Sequence, residues 1–262
     1  MNCPLCDESR NTIFHRWPNF AVSECAACGF RFIDTSAPDY PRDAQAMHAE
    51  PGEFTLNSKL PHVLRRVRDI LRFNQPSGRA LDVGCGKGEV ACALAQTGFE
   101  STGLDMKARV IKYLQQHQPA IRWMAATTDE LEGLGEQFDV ITLYHVLEHV
   151  SKPVECLSNI KRLLRPGGLL VVEVPNVGGW KERLKGHRWD YYKVDHVNYF
   201  RPSDLVRTAD QAGLKVVGMR GYYHFSHPQD VLWKDLLKGA LAAIGFKDVM
   251  SVFLRADHNE RS

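Results

Sequence analysis

Apolar positions along the chain change period repeatedly, and each change marks an element. Over residues 62–73, Val63, Leu64, Val67, Ile70 and Leu71 recur at helical spacing while Arg65, Arg66, Arg68 and Arg72 fall largely off that stripe. This predicts an amphipathic helix with a basic face, either solvated or offered to phosphates. Short apolar runs at 80–83, 99–104, 138–143 and 169–174 read as strands, and helical patterns at 89–96 and 151–164 fall between them. The helix over 151–164 is closed by Arg165-Pro-Gly-Gly168. Further on, the pattern gives a helix at 203–212, a strand at 215–219, a helix near 229–243 and a last strand at 249–254. Strands alternating with helices predict an α/β fold, a doubly wound seven-stranded sheet that is mostly parallel with an antiparallel last strand. The first residues differ. Short strands at 12–17 and 20–24 flank Pro18-Asn19, with a third at 30–33. Residues 35–57, with Pro38, Pro41 and Pro51 among scattered polar side chains, read as a linker. The expected organisation is thus a small unit at 1–34, a linker at 35–57 and a catalytic-size domain at 58–262.

Composition narrows the possibilities. With 44% apolar and 24% charged residues in 262, the chain has globular composition and is not disordered or collagen-like. Its 33 basic residues nearly balance 31 acidic ones, so no global field announces nucleic acid or membrane, and either partner would need a local patch. Apolar runs such as 168–174 fall far short of the roughly 20 residues that span a bilayer, so no membrane helix is expected. The opening stretch MNCPLCDESR lacks the basic region and apolar run of a secretory signal, which predicts a cytoplasmic protein in a reducing compartment.

In that compartment the seven cysteines should be thiols or metal ligands. Cys3 and Cys6, then Cys25 and Cys28, form two C-x2-C pairs separated by 18 residues, a zinc spacing. Each pair lets one turn present two sulfurs, and two turns complete a closed tetrahedral Zn2+ site, which is structural rather than catalytic. A unit of about 35 residues cannot fold unaided, so metal would supply much of the stability of this zinc ribbon. Cys85, Cys92 and Cys156 are widely spaced and read as packing residues.

The class is set by Leu81-Asp-Val-Gly-Cys-Gly-Lys-Gly88, a glycine-rich turn between a strand and a helix. Glycines at 84, 86 and 88 remove side chains where backbone must approach a ligand. Asp82, just before them, disfavours a phosphate and favours a cationic ligand. The second strand ends in Asp105, where a carboxylate can accept both hydroxyls of a ribose. Tyr144 and His145 follow the strand at 138–143 and would lie at the carboxyl end of the sheet, where open parallel sheets bind ligands.

With LDVGCGKG at 81–88, GLD at 103–105, FDVITLYHVLEHV at 138–150 and LRPGGLLVVEVPN at 164–176, the chain resembles the class I S-adenosylmethionine-dependent methyltransferases from about residue 79 to 254. The resemblance implies a Rossmann-like domain in which Asp82, Gly84 and Gly86 surround the methionine part of the cofactor and Asp105 holds its ribose. It also implies that His145 lies near the methionine portion and that Glu148-His149 is partly structural. Where relatives commonly place a carboxylate on the adenine amine, this chain has Thr127 beside Thr128, with Asp129 as the rival contact.

An insertion at 176–201 carries Trp180, Trp189, Tyr191, Tyr192, Tyr199 and Phe200. It reads either as a satellite core beneath a substrate lid or as direct substrate contacts. Its segment Asp195-His-Val-Asn-Tyr-Phe200 is similar to the E-H-x-x-Y-F segment of nucleotide-sugar C-methyltransferases, which also carry an N-terminal zinc-binding segment. That similarity implies His196 as a general base with Asp195 as its acidic neighbour, although Lys193 stands where those enzymes have tyrosine. The expected function is methyl transfer to a small polar metabolite, a sugar or nucleotide-linked sugar among the candidates. The alternative is an RNA methyltransferase whose ribbon and basic helix hold the nucleic acid. A binding module without activity is disfavoured by the intact Asp82, glycine turn and Asp105.

Overall fold

The computed structural model describes residues 1–38, 40–41, 60–222 and 247–256. Most of the linker and the helix expected near 229–243 lie outside the described residues. The chain begins with β1 (Asn11–Trp17), β2 (Phe20–Cys25) and β3 (Arg31–Ile33), followed by α1 (Pro61–Leu71). Then come β4 (Arg79–Val83), α2 (Glu89–Gln96), β5 (Glu100–Asp105), α3 (Ala108–His117), β6 (Arg122–Ala125), β7 (Phe138–Tyr144) and α4 (Pro153–Leu163). The remaining elements are β8 (Leu164–Pro175), α5 (Trp180–Lys185), β9 (Asn198–Tyr199), α6 (Pro202–Gln211), β10 (Leu214–Tyr222) and β11 (Val249–Ala256).

Seven strands form the main sheet in the order β10-β11-β8-β7-β4-β5-β6. β4 to β8 run parallel, and β11 is antiparallel to both neighbours, β8 and β10. Alternation along the strands divides the core in two. Leu81, Ile141, Leu170 and Val172 face a layer that includes Leu157 and Ile160 of α4 and Leu205 and Ala209 of α6. Ala80, Val140, Leu169 and Val171 face Val63, Val67 and Ile70 of α1 and Val90 and Leu94 of α2. Val83 pairs with Leu104 on one side and Leu143 on the other, so the segments after β4, β5 and β7 emerge together at the carboxyl edge. That register builds the site.

Several boundaries move for local reasons. The helix expected over 151–164 starts at Pro153, whose fixed φ suits a first helical position, and a 3-10 turn (Leu147–His149) precedes it. β8 begins at Leu164, five residues before the apolar run, and Leu164 pairs with Phe138 across an irregular register. α3 and β6 had no clear sequence signal: the strand has four residues, and only Trp123 among them is buried.

The N-terminal strands do not stand alone. β3 pairs with β9, a strand of the insertion, through Arg31 with Tyr199 and Phe32 with Asn198, giving a four-stranded sheet β1-β2-β3-β9. Phe20, Val22 and Ile33 share a core with Val177, Trp189, Tyr192 and Tyr199. Arg31 ties the same faces together, bonding Glu24 at 2.7 Å, Glu182 at 3.0 Å and the Tyr192 hydroxyl at 2.8 Å. The two ends of α6 add anchors: Nη2 of Arg201, its N-cap, donates to the Cys28 carbonyl and Gln211 Nε2 to the Leu5 carbonyl, each at 3.0 Å. Most of the insertion's aromatic side chains are therefore a satellite core shared with the ribbon. Among the described residues no helix is long and apolar enough to cross a membrane.

Candidate active site

A cleft of about 820 Å³ opens at the carboxyl edge, within the range of small-molecule sites. Gly84, Gly86, Asp105, Thr127, Thr128, Asp129 and His145 all line it, although they come from four separate loops. Gly86 has φ +50, and a Cβ there would meet no protein atom within 4 Å, so it would take up space in the cleft. Asp105 holds the turn in shape: its Oδ2 accepts the Gly86 N–H and its Oδ1 the Lys107 N–H, both at 2.9 Å. A carboxylate with two oxygens retains further lone pairs for ribose hydroxyls after accepting these bonds. Thr127 closes the other rim; its hydroxyl and N–H both bond Glu130 Oε2, capping the 3-10 turn Thr128–Leu134.

Three expected residues sit elsewhere. Asp82 is buried behind the turn rather than lining the cleft, and it accepts the Thr142 hydroxyl at 2.6 Å. Burial pushes its carboxyl up to about 6, against the Thr142 hydrogen bond and the Arg66 charge. That bond ties β4 to β7 just before the glycine turn. Gly88 is also absent from the cleft lining. It has φ +75 at the start of α2, and a Cβ would come within 2.6 Å of the Trp123 ring, so this glycine serves packing. Tyr144 turns away into the face covered by α1, where the Arg66 guanidinium lies 4.2 Å from its ring centroid.

α1 also changes the reading of the basic face. Arg65 and Arg66 both reach the buried Glu173, Arg65 at 3.0 Å and Arg66 at 2.6 Å. Ser251 donates to the same carboxylate at 2.5 Å. Burial alone would raise the Glu173 pKa, but the two guanidiniums outweigh it and hold it near about 2. Two of the four arginines are thus internal ion-pair partners.

The histidine end of the cleft joins distant segments. His145 has φ +59, rare for a residue with a side chain, and its Nδ1 lies 3.0 Å from Glu148 Oε1 while Nε2 lies 3.8 Å from Glu173 Oε1. Glu148 is fully buried; burial pushes its pKa up, yet the His145 hydrogen bond and the charges of His145, His149 and His196 bring it down to about 2. His149 lines the cleft, and its Nδ1 stands 2.7 Å from the Asp195 carbonyl oxygen. Asp195 therefore enters through its backbone. His196 is not on the cleft lining but buried behind it, edge-on to His149 with ring centroids 4.7 Å apart, and burial lowers its pKa to about 4. Tyr191 stacks near both His145 and His196, at 6.4 and 5.9 Å between centroids. Sequence reasoning missed the α4 wall, where Lys152, Glu155, Asn159 and Arg162 line the cleft. Their spacing along one polar helix face is the signal that pointed to it, but solvated faces share that pattern.

The family comparison decides the class. A family model described as a methyltransferase domain matches residues 56–218. The chain belongs to the S-adenosylmethionine-dependent methyltransferases. Among curated relatives, the ubiquinone biosynthesis O-methyltransferase of Haemophilus ducreyi is 31% identical over 189 residues, 62% of this chain and 79% of that protein. The enzyme of the same name from Coxiella burnetii is 31% identical over 156 residues, 55% of this chain and 67% of that protein. Solved structures share the fold at low identity. A methyltransferase from Streptomyces caelestis aligns with TM-score 0.57 at 16% identity, covering 82% of this chain and 96% of that one. One from Archaeoglobus fulgidus gives 0.56 at 17%, covering 74% and 92%.

The methyltransferase's own residues fit the methyl donor: an open space at Gly86, a carboxylate at the end of β5 and acceptors at 127–129 lie along one continuous cleft. The cysteine cluster passes a separate test. The four sulfurs lie within 4.8 Å of one another, with Cys3 to Cys28 at 3.7 Å, Cys6 to Cys25 at 3.5 Å and Cys6 to Cys28 at 3.4 Å. Sulfurs on a tetrahedral zinc at about 2.3 Å stand about 3.8 Å apart, so the set is close to a four-thiolate site. No disulfide links them.

Proposed function

We propose that this methyltransferase methylates an oxygen of a small hydroxylated metabolite, with His145 as general base. The observation that carries the reading is His145 on the cleft wall, oriented by the buried carboxylate of Glu148. The donor supplies an electrophilic methyl group on a sulfonium. The protein's part is to align the acceptor oxygen behind that methyl and to take its proton, so that positioning and base catalysis share the acceleration. Glu148 fixes which imidazole nitrogen carries the proton and favours the imidazolium that forms. His196 with Asp195, expected as base and neighbour, lies one layer behind and supports this wall.

Relatives named as ubiquinone biosynthesis O-methyltransferases support an oxygen acceptor on a small molecule. The RNA reading keeps only part of its basic helix, because Arg65 and Arg66, two of its four arginines, are committed to Glu173. Cys3, Cys6, Cys25 and Cys28 are proposed to hold a structural Zn2+ that fixes the ribbon under the insertion. Incubation with methyl-labelled donor and panels of phenols, sugars, nucleotide sugars and RNA tests the function. Label in a hydroxylated small molecule is expected, and label confined to RNA would overturn the reading.

A further inference from the structure

Glu148, His149 and His196 bring three ligand atoms within 4.8 Å of one another, apart from the cysteine cluster. Ligands of a tetrahedral ion with bonds of about 2.1 Å stand about 3.4 Å apart, so inward side-chain shifts of less than about 1 Å each would close the set. Each residue is prepared for such a role. Glu148 is 1% exposed; its Oε1 serves His145, whereas its Oε2 is buried with no hydrogen-bond partner. A buried carboxylate oxygen without a donor is costly, and a cation beside it removes that cost. The Nδ1 of His149 faces the Asp195 carbonyl at 2.7 Å, which places the proton on Nδ1 and the lone pair on Nε2. That second hydrogen bond is how metal-binding imidazoles are commonly held. His196 comes from the insertion, so the cluster forms only when the insertion is docked.

We propose that Glu148, His149 and His196 bind a divalent transition-metal ion, of the zinc, iron(II) or manganese(II) kind, in the wall of the cleft. Two imidazoles and one carboxylate suit these ions better than calcium or magnesium, which prefer all-oxygen sites. Three protein ligands leave a further coordination position, and His149 lines the cleft, so that position is within reach of an acceptor oxygen. An ion there would lower the pKa of a bound hydroxyl; its proton would pass to His145, the oxygen would bond the methyl carbon as the carbon–sulfonium bond breaks, and S-adenosylhomocysteine would leave as the neutral thioether. This use of the ion rests on the O-methyl transfer reading; its binding does not.

Equilibrium dialysis of the full-length protein against Co2+ and against Zn2+ tests the binding, with visible and near-ultraviolet spectra of the Co2+ form. Thiolate ligands give strong sulfur-to-cobalt charge-transfer absorption, and a site of two imidazoles and a carboxylate gives only d–d bands. Two ions per chain are expected. His196→Ala and Glu148→Gln should each lose the ion without thiolate absorption and keep the other. Glu148→Gln preserves side-chain volume and a hydrogen bond to His145, so a thermal midpoint near that of the parent shows that the fold is retained. One ion per chain in the parent, or two retained in either variant, would overturn the proposal. Calorimetry with S-adenosylmethionine on the same samples reports the donor site separately, so loss of one reading is distinguishable from loss of the other.

Discussion

The two ends of the cleft are built on different principles. At the donor end, Gly86 in the turn after β4 and Asp105 at the end of the neighbouring parallel strand β5 lie 19 residues apart, and a backbone-to-carboxylate bond joins them. At the histidine end, His145 and His149 meet Tyr191 and His196 from the insertion, which itself completes the ribbon's sheet through β9. The first end needs only the sheet's register. The second needs three separate parts of the chain to dock, so damage to the ribbon should reach it while sparing the donor.

The largest expected effect comes from breaking that docking. A Cys25→Ala, Cys28→Ala double variant should lose the zinc proposed for the four thiolates, a kind of binding that in isolated zinc domains contributes on the order of 10 kcal/mol. Methyl transfer should collapse, with donor affinity within a few-fold of the parent by calorimetry. Equal loss of donor binding would mean that the two ends are not separable.

A change within the histidine end should act on turnover. His145→Asn should lower kcat by roughly 10²–10⁴, the usual contribution of a general base, and remove the acidic limb of the pH–rate profile. If His196→Asn removes that limb and His145→Asn does not, the base is His196, as the sugar-enzyme resemblance implied.

The layer beneath both ends should respond to acid. Glu173 has a folded pKa held near about 2, below the ordinary glutamate value near 4.3. Its stabilising contribution is present in full above the unfolded value and fades as pH falls through the folded one. Thermal midpoints should therefore drop between about pH 4 and pH 2. Glu173→Gln should destabilise by roughly 3 kcal/mol at neutral pH, because it strands Arg65 and Arg66, and should flatten that acid dependence. An unchanged slope would place the acid sensitivity elsewhere, with Glu148 the next carboxylate to test.

The smallest effect distinguishes packing from ligand contact at the glycine turn. Gly88→Ala should cost about 2 kcal/mol of stability, from its left-handed φ and the Trp123 ring, and leave the donor dissociation constant of the folded protein within a few-fold. Chemical denaturation with donor titration checks both.

How much was legible in the sequence follows the same division. Asp105, Gly86 and the 127–129 rim were readable because contiguous motifs fix their backbone. The four cysteines were readable because two tight turns leave little choice of partner. The burial of Asp82 was not readable, since its place before the turn does not reveal that Thr142 draws its carboxylate inward. The partners of the basic stripe of α1 were hidden for the same reason: periodicity shows which face leaves the core but not that Glu173 waits behind it. The pairing of β3 with β9 joins residues 31–32 to 198–199, a separation at which no local pattern carries information. The cluster of Glu148, His149 and His196 depends on that docking and was hidden with it.

The most direct measurement is calorimetric titration of S-adenosylmethionine into Asp105→Ala beside His145→Asn. Asp105→Ala should weaken binding by roughly 1.5–3 kcal/mol, about 10- to 100-fold, through loss of charged hydrogen bonds. His145→Asn should bind like the parent while losing turnover. An unaltered dissociation constant in Asp105→Ala, or the same loss in both variants, would contradict the separation of a donor end from a histidine end.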